Sequence, residues 1–441
     1  MRLTHSYDRM SPVLSTYKEL FRARGAAAFS ATGFLGRMPI SMLGIGTVLL
    51  VSGTTGTYGV AGVLAGVMTL AGAVGMPQIA RLVDRFGQAR VVRPALLVHG
   101  LSLAGMIAAV RLEWPVWTWF AFGVVAGASL PSIGSMVRAR WARVLPETAR
   151  RQTAFAFESV LDEVVFVIGP PLATILATSV SPEAALVAAI AFALVGGWLF
   201  TAQRSTEPSL ARDGVHVSRR EVASAGVLAI CATYLGAGAV FGSVEVIVVA
   251  FADEQGRRGA SGFVLASYAA GSLVAGLLYG ARTWRRALGD RFVVAAVVFG
   301  FATLLPLLAG NLAVLAVLMF VTGLSIAPVL IGGMSVIERL VPPRALTEGL
   351  TFSITALTIG VTAGAAIAGG LIDAYGAQVA FRLPSAAALL TAVIALSAWR
   401  VLRRAELGDS PQPDGELSID GRLDDPLPGD SPRARTGTMT S

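Results

Sequence analysis

The chain has 441 residues, of which 54% are hydrophobic and only 14% are charged, and its mean hydropathy is +0.69. A soluble domain carries about 25% charged residues, so this chain lacks the charges that a water-exposed surface of this size requires. The composition excludes a protein built of soluble enzyme domains. It also excludes a disordered chain, which would be polar and rich in charge. It predicts a polytopic, all-α membrane protein.

Cysteine and histidine are too scarce to suggest a disulfide framework or a metal site. The chain has one cysteine, Cys231, and three histidines, so we predict no metal ligand set. It contains no P-loop pattern for ATP, and we expect no bound cofactor. The net charge of +8 comes largely from arginines in short loops between apolar runs, which indicates membrane topology and not a nucleic-acid partner.

Twelve apolar stretches are each long enough to cross a membrane, since a helix needs about 20 residues to span the hydrocarbon core. Two long charge-free segments, 38–80 and 292–337, each divide at a glycine-containing turn. The predicted helices are 29–52, 56–80, 91–111, 114–137, 153–178, 183–202, 223–250, 259–281, 291–309, 311–337, 348–371 and 378–400.

A charged linker, 204–221, divides these helices into two groups of six, 29–203 and 222–402. Residues 1–28 are polar and lack a signal-peptide cleavage pattern, so we expect a cytoplasmic N-terminal segment. Residues 403–441 are rich in Pro, Gly, Asp and Ser, which predicts a disordered cytoplasmic tail.

The distribution of arginine predicts the orientation in the membrane, because cytoplasmic loops carry an excess of basic residues. An even number of helices places both termini on one side, and most of the 35 Lys and Arg residues lie on that side. We therefore predict a multi-pass protein of the cell inner (plasma) membrane with both termini in the cytoplasm. The exceptions are Arg37, inside predicted helix 1, and four residues of the opposite loops, Arg111, Arg257, Arg258 and Arg382.

The loop between predicted helices 2 and 3 contains Asp84, Arg85, Gly87 and Arg90. These residues resemble the Gly-x-x-x-Asp-Arg-x-Gly-x-Arg-Arg signature of the major facilitator superfamily, with departures at its first and tenth positions. The resemblance implies two six-helix bundles around a central cavity that opens to each side in turn. It also implies that Asp84 contacts the start of helix 11 and latches the bundles together. The alternative is that Asp84 and Arg85 form a solvated turn that only sets topology.

Predicted helix 5 contains Gly169 followed by Pro170 and Pro171. This step resembles the Gly-Pro core of a helix-5 signature in drug–proton antiporters of the superfamily. Because proline lacks an N–H and clashes with the preceding turn, we expect a bend at Gly169 and Pro170 where the bundles meet. An ordinary proline kink is the alternative.

Arg37 and the acidic residues of helix 5 lie inside the predicted membrane span. A charged residue at the bilayer centre costs about 2.5–3.5 kcal/mol on insertion scales. Charged residues inside membrane spans are therefore usually functional. Arg37, Asp162 and Glu163 lie at similar predicted depths, about 14–15 Å from their helix starts. We therefore predict an ion pair between Arg37 and one of these carboxylates. It could act as a proton switch or as a permanent bridge that neutralises the arginine.

Several other residues are candidates for the cavity. Glu245, near the outer end of helix 7, could line its outer mouth, and Glu158 shares a helix face with Asp162. The remaining candidates for an apolar substrate wall, which helix packing explains equally well, are Phe34, Met38, Tyr234 and Phe241.

The sequence as a whole predicts a secondary active transporter and not an enzyme. The leading hypothesis is proton-coupled efflux, by antiport, of a small amphipathic or hydrophobic compound. The proton gradient would supply the energy, and the transporter would act as a monomer within membrane lipid. The alternative is a proton-symport importer of a small nutrient on the same fold. A non-transporting receptor or a polytopic membrane enzyme is a remote alternative, because the loops are short and poor in catalytic residue types.

Overall fold

The computed structural model describes residues 20–145, 148–208, 224–282, 284, 286–341 and 346–407. It leaves undescribed the side chains of 148, 149, 152, 281, 346–348 and 404–407. Most of the predicted N-terminal segment, linker and tail therefore lies outside the described residues.

Twelve helices of the described chain are long and apolar enough to cross a membrane, which confirms the predicted number and the all-α class. In chain order they are α1 (Ala26–Thr55), α2 (Tyr58–Phe86), α3 (Gln88–Arg111), α4 (Val116–Ser129 and Ile133–Val144), α5 (Thr148–Ser179), α6 (Ala184–Ala202), α7 (Ala225–Glu254), α8 (Ser261–Ala281), α9 (Leu288–Ala302), α10 (Leu312–Gly323 and Ile326–Leu340), α11 (Leu346–Tyr375) and α12 (Ala377–Ala380 and Arg382–Leu407).

Short connections force successive helices to run antiparallel. The α1–α2 turn has two residues between helices and turns at Gly56, whose φ of 71° suits glycine. We call the end that holds this turn the distal end. The end where α1 begins and α12 ends is the proximal end.

Helix α4 extends further than the sequence predicted, to Val144 and not to residue 137. It is interrupted at Pro131, which cannot donate a backbone hydrogen bond. The part after the break remains helical because one of its faces, including Val137, Arg140 and Trp141, is buried. Three arginines that the sequence suggested were loop residues therefore lie on a helix.

Helices α1 and α7 are the central helices of the two groups of six. In their apolar stretches 72% and 78% of the residues are buried, against 22% in α11. Each central helix packs against members of its own group, α1 against α5 and α6 and α7 against α11 and α12. The described helices thus form two six-helix bundles, α1–α6 and α7–α12.

The bundles meet along two helix pairs, α2 with α11 and α5 with α8. Gly62 of α2 lies so close to α11 that a Cβ atom there would come within 3 Å of the Ala365 carbonyl oxygen. Gly262 of α8 approaches the Pro170 carbonyl of α5 in the same way. These contacts lie in the distal halves of the four helices. Among the described residues, the closest inter-bundle contacts therefore lie toward the distal end.

Candidate functional site

Arg37 lies inside the N-terminal bundle, eleven residues after the start of α1, and is only 1% exposed. Its Nη2 donates to Glu158 Oε2 at 2.5 Å and its Nη1 donates to Asp162 Oδ1 at 2.7 Å. Its Nε donates to the Gly33 carbonyl one turn earlier at 3.2 Å. The guanidinium therefore holds two carboxylates on successive turns of α5, which is the i,i+4 spacing that places side chains on one helix face.

Glu158 is the fully buried carboxylate of this network, with 0% exposure. Besides Arg37, its Oε1 accepts from Ser30 Oγ at 2.7 Å and from Trp141 Nε1 at 2.8 Å. Three donors from α1 and α4 thus satisfy a charge that would be costly to bury alone. Glu158 is a fixed counter-charge for Arg37 and does not line a cavity, where the sequence had suggested it.

Asp162 forms the accessible edge of the same network. Its Oδ1 binds Arg37, and its Oδ2 accepts from Arg138 Nη2 of α4 at 2.7 Å. The side chains of Asp162 and Arg138 are 35% and 30% exposed. Because a charged pair facing lipid would be costly, we expect this exposed edge to face water and not lipid. One carboxylate is thus shared between a buried and a partly exposed arginine.

Glu163 follows Asp162 but points about 100° around the helix from it. It is partly buried, and no described residue forms an ion pair with it. The structure therefore brings Arg37 together with Asp162 and Glu158, and places Glu163 outside the network.

Glu245 lies away from the outer mouth where the sequence had suggested it. It sits nine residues before the end of α7, and its carboxylate packs against the backbone of α1 at Gly44. Glu245 therefore forms a polar contact between the central helices of the two bundles.

Of the other four cavity candidates, two are buried and two are partly exposed. Tyr234 is buried and its hydroxyl donates to the Leu330 carbonyl of α10, while Met38 is 2% exposed. Phe34 and Phe241 are partly exposed, and Phe241 makes an edge contact with Phe299. Of these four side chains, only those of Phe34 and Phe241 are not buried, and both pack against the hydrophobic core.

The loop that resembles the family signature lies at the proximal end. Gly87 has φ 91° and donates to the Val83 carbonyl at 2.8 Å, so it turns the chain between α2 and α3. Asp84, Arg85 and Arg90 are exposed. The expected contact of Asp84 with the start of α11 is absent among the described residues, which do not include the first side chains of α11.

Gly169 and Pro170 lie where three helices meet, and α5 runs through them without interruption. Gly169 packs against Ser41 of α1, and the Pro170 carbonyl packs against Gly262 of α8. Ser41 Oγ also donates to the Val165 carbonyl at 2.9 Å. The Gly-Pro step therefore lies at the contact between the bundles.

Sequence reasoning missed the contributions of α4. Arg138 and Trp141 complete the network, and Arg140 is buried against Gln88 and the Gln203 carbonyl, 3.9 Å above the ring of Phe200. These residues were overlooked because α4 was expected to end at residue 137. The spacing of Ile133, Val137 and Trp141, each four residues apart, was the signal that the helix continues.

Comparison with known proteins agrees with this architecture. A sequence model of the Major Facilitator Superfamily matches residues 29–286 and 226–422. No curated protein sequence matches the chain significantly.

Three solved structures share its fold at low sequence identity. A bacterial homologue of the iron transporter ferroportin in the inward-facing state has a TM-score of 0.66 and 14% identity, covering 85% of this chain and 98% of its own. A mutant of the nucleoside transporter NupG has a TM-score of 0.68 and 13% identity, covering 84% and 99%. A bacterial metal transporter has a TM-score of 0.60 and 16% identity, covering 86% and 98%. The chain is a multi-pass membrane protein, a transporter and not an enzyme, and it belongs to the Major Facilitator Superfamily.

Proposed function

We propose that this transporter is a proton-coupled antiporter that exports a small amphipathic or hydrophobic compound. The observation that carries the proposal is the partly exposed carboxylate of Asp162, which Arg37 and Arg138 share. A proton on Asp162 would remove the charge that both arginines bind. Arg138 would then be free to move with α4, while Arg37 would keep Glu158.

The proposal combines the two hypotheses for the Arg37 ion pair, a permanent bridge and a proton switch. Glu158 serves as the permanent bridge, because it is fully buried and has three donors. Asp162 serves as the switch, because a partly exposed carboxylate can exchange protons with water in the cavity. Glu163 lies next to it without an ion pair among the described residues and is the second candidate for the coupling proton.

Two features support export of an amphipathic compound. The closest inter-bundle contacts lie toward the distal end, and the arginine distribution predicts that the opposite, proximal end is cytoplasmic. In that orientation the described arrangement would admit a compound from the cytoplasm. Phe34 and Phe241 would provide apolar contact, and Asp162 would provide a polar edge.

The test uses inverted membrane vesicles that contain the transporter and a fluorescent amphipathic dye such as ethidium. Asp162→Asn should abolish dye accumulation driven by an acidic lumen, while dye exchange without a gradient continues. Glu163→Gln tests the neighbouring carboxylate in the same way. Glu183→Gln is the matched control, because Glu183 lies outside the Arg37 network and forms only a 3.8 Å ion pair with Arg111. Full gradient-driven accumulation in both helix-5 variants would exclude this coupling site.

A further inference from the structure

The turn between α1 and α2 places two helix ends side by side at the distal end. The first amides of a helix lack intrahelical partners and carry partial positive charge, while its last carbonyls carry partial negative charge. Thr57 precedes α2 but makes no side-chain capping hydrogen bond. The amides at the start of α2 therefore need an acceptor from elsewhere.

The other bundle supplies this acceptor. Asp373, near the end of α11, accepts from the Tyr58 amide at 2.8 Å with Oδ1 and from the Gly59 amide at 2.7 Å with Oδ2. The carboxylate thus caps the start of α2 with both oxygens. The sign of the charge matches the sign of the helix end.

A cation of the same bundle binds the neighbouring end of α1. Arg258, which precedes α8, donates through Nη2 to the Leu49 carbonyl at 3.3 Å and to Ser52 Oγ. The Tyr58 hydroxyl adds a bond to Asp253 Oδ2 at 2.7 Å. An anion of the C-terminal bundle therefore caps the start of α2, and a cation of the same bundle binds the last two turns of α1.

We propose that Asp373 and Arg258 form a distal clamp, which holds the bundles together at this end and sets the population of the arrangement closed there. Opening the distal end must separate α2 from α11, so the Asp373 bonds must break in each cycle. Asp373 and Arg258 are thus positioning residues for transport, since neither lies in the space that a substrate would occupy. The proposal concerns the bundle equilibrium alone, so it stands or falls separately from proton coupling and substrate class.

The chain offers a matched control for the clamp. Glu254 Oε1 accepts from the Ala377 amide at 2.7 Å and so caps the start of α12. The chemistry is that of Asp373, but both partners belong to the C-terminal bundle. Removing this charge should weaken the cap of α12 without changing how the two bundles meet.

The experiment measures distances between the bundles by pulsed EPR in the full-length protein. In a Cys231→Ser background, spin labels at Leu112 and Gln255, both exposed in distal loops of different bundles, report distal opening. A second pair at the exposed residues Arg81 and Arg339 reports the proximal end.

Asp373→Asn should raise the ratio of distally open to closed molecules by about two- to fivefold, the range of a charge at a helix terminus. Asp373→Lys should raise it further, because it places a cation against the start of α2. The proximal pair should shift toward shorter distances in the same variants. Glu254→Gln should leave both distributions unchanged.

Two results would overturn the clamp. One is an Asp373→Asn distribution identical to that of the parent protein at both ends. The other is an equal shift in Glu254→Gln, which would mean that any lost cap has this effect. Arg258→Gln tests the second half of the clamp independently and covers the case in which an Asp373 variant does not fold.

Discussion

The buried pair of Arg37 and Glu158 predicts a large stability difference between two similar substitutions. Glu158→Gln keeps the size of the side chain but removes the charge that is bound to a guanidinium with only 1% exposure. Breaking a buried ion pair by removing one partner costs about 3–5 kcal/mol, because the other charge is left uncompensated. Arg37 keeps Asp162 at 2.7 Å, so we expect a loss at the lower end of that range, about 3 kcal/mol.

Asp162→Asn removes the carboxylate one helical turn after Glu158, and we expect a smaller loss in the free energy of unfolding. Its side chain is 35% exposed, so water can replace part of the lost interaction, and we expect a cost of about 1 kcal/mol. The free energy of unfolding, measured by SDS titration from mixed micelles, gives both values, with Glu183→Gln as the control near zero. If Glu158→Gln were no more destabilising than Asp162→Asn, Glu158 would not be the fixed counter-charge of Arg37.

Three further substitutions test other parts of the molecule. Gly62→Ala should reduce transport at least tenfold, because the added Cβ would clash with the backbone of α11. Gly370→Ala is the control and should transport normally, because there is open space around Gly370. Dye flux in vesicles compares the two variants, and equal rates would show that the bundles need not approach this closely. Glu245→Gln should leave membrane expression unchanged and alter the pH dependence of transport, since it removes a titratable group from the contact between α1 and α7; an unaltered pH profile would show that Glu245 does not change its protonation during transport. Asp84→Asn should slow turnover if Asp84 latches the proximal end in another state of the cycle, and unchanged turnover would limit that residue to setting topology.

The sequence was sufficient to predict the architecture because hydropathy is a strong local signal. The number of membrane helices is confirmed, and most predicted bounds lie within a few residues of those observed. In the structure Arg37 lies eleven residues after the start of α1 and Asp162 fourteen residues after the start of α5, and their side chains are in contact at 2.7 Å.

The details of the site depended on information that local pattern does not carry. The choice between Asp162 and Glu163 rests on the rotation of α5 about its axis, which packing against α1 decides. Trp141 was hidden because an arginine-rich segment reads as a loop, although one face of it is buried. The cap that Asp373 provides for α2 joins residues 315 positions apart, and neither partner carries a sequence signal for the other.

The most direct test of the proposed function is dye movement in inverted vesicles with an imposed pH gradient. With an acidic lumen, a proton antiporter of the predicted orientation should accumulate dye inside as protons leave, and an alkaline lumen should reverse the movement. Gradient-driven exit of dye from an acidic lumen, together with the protons, would contradict antiport and identify a symporter that imports its substrate.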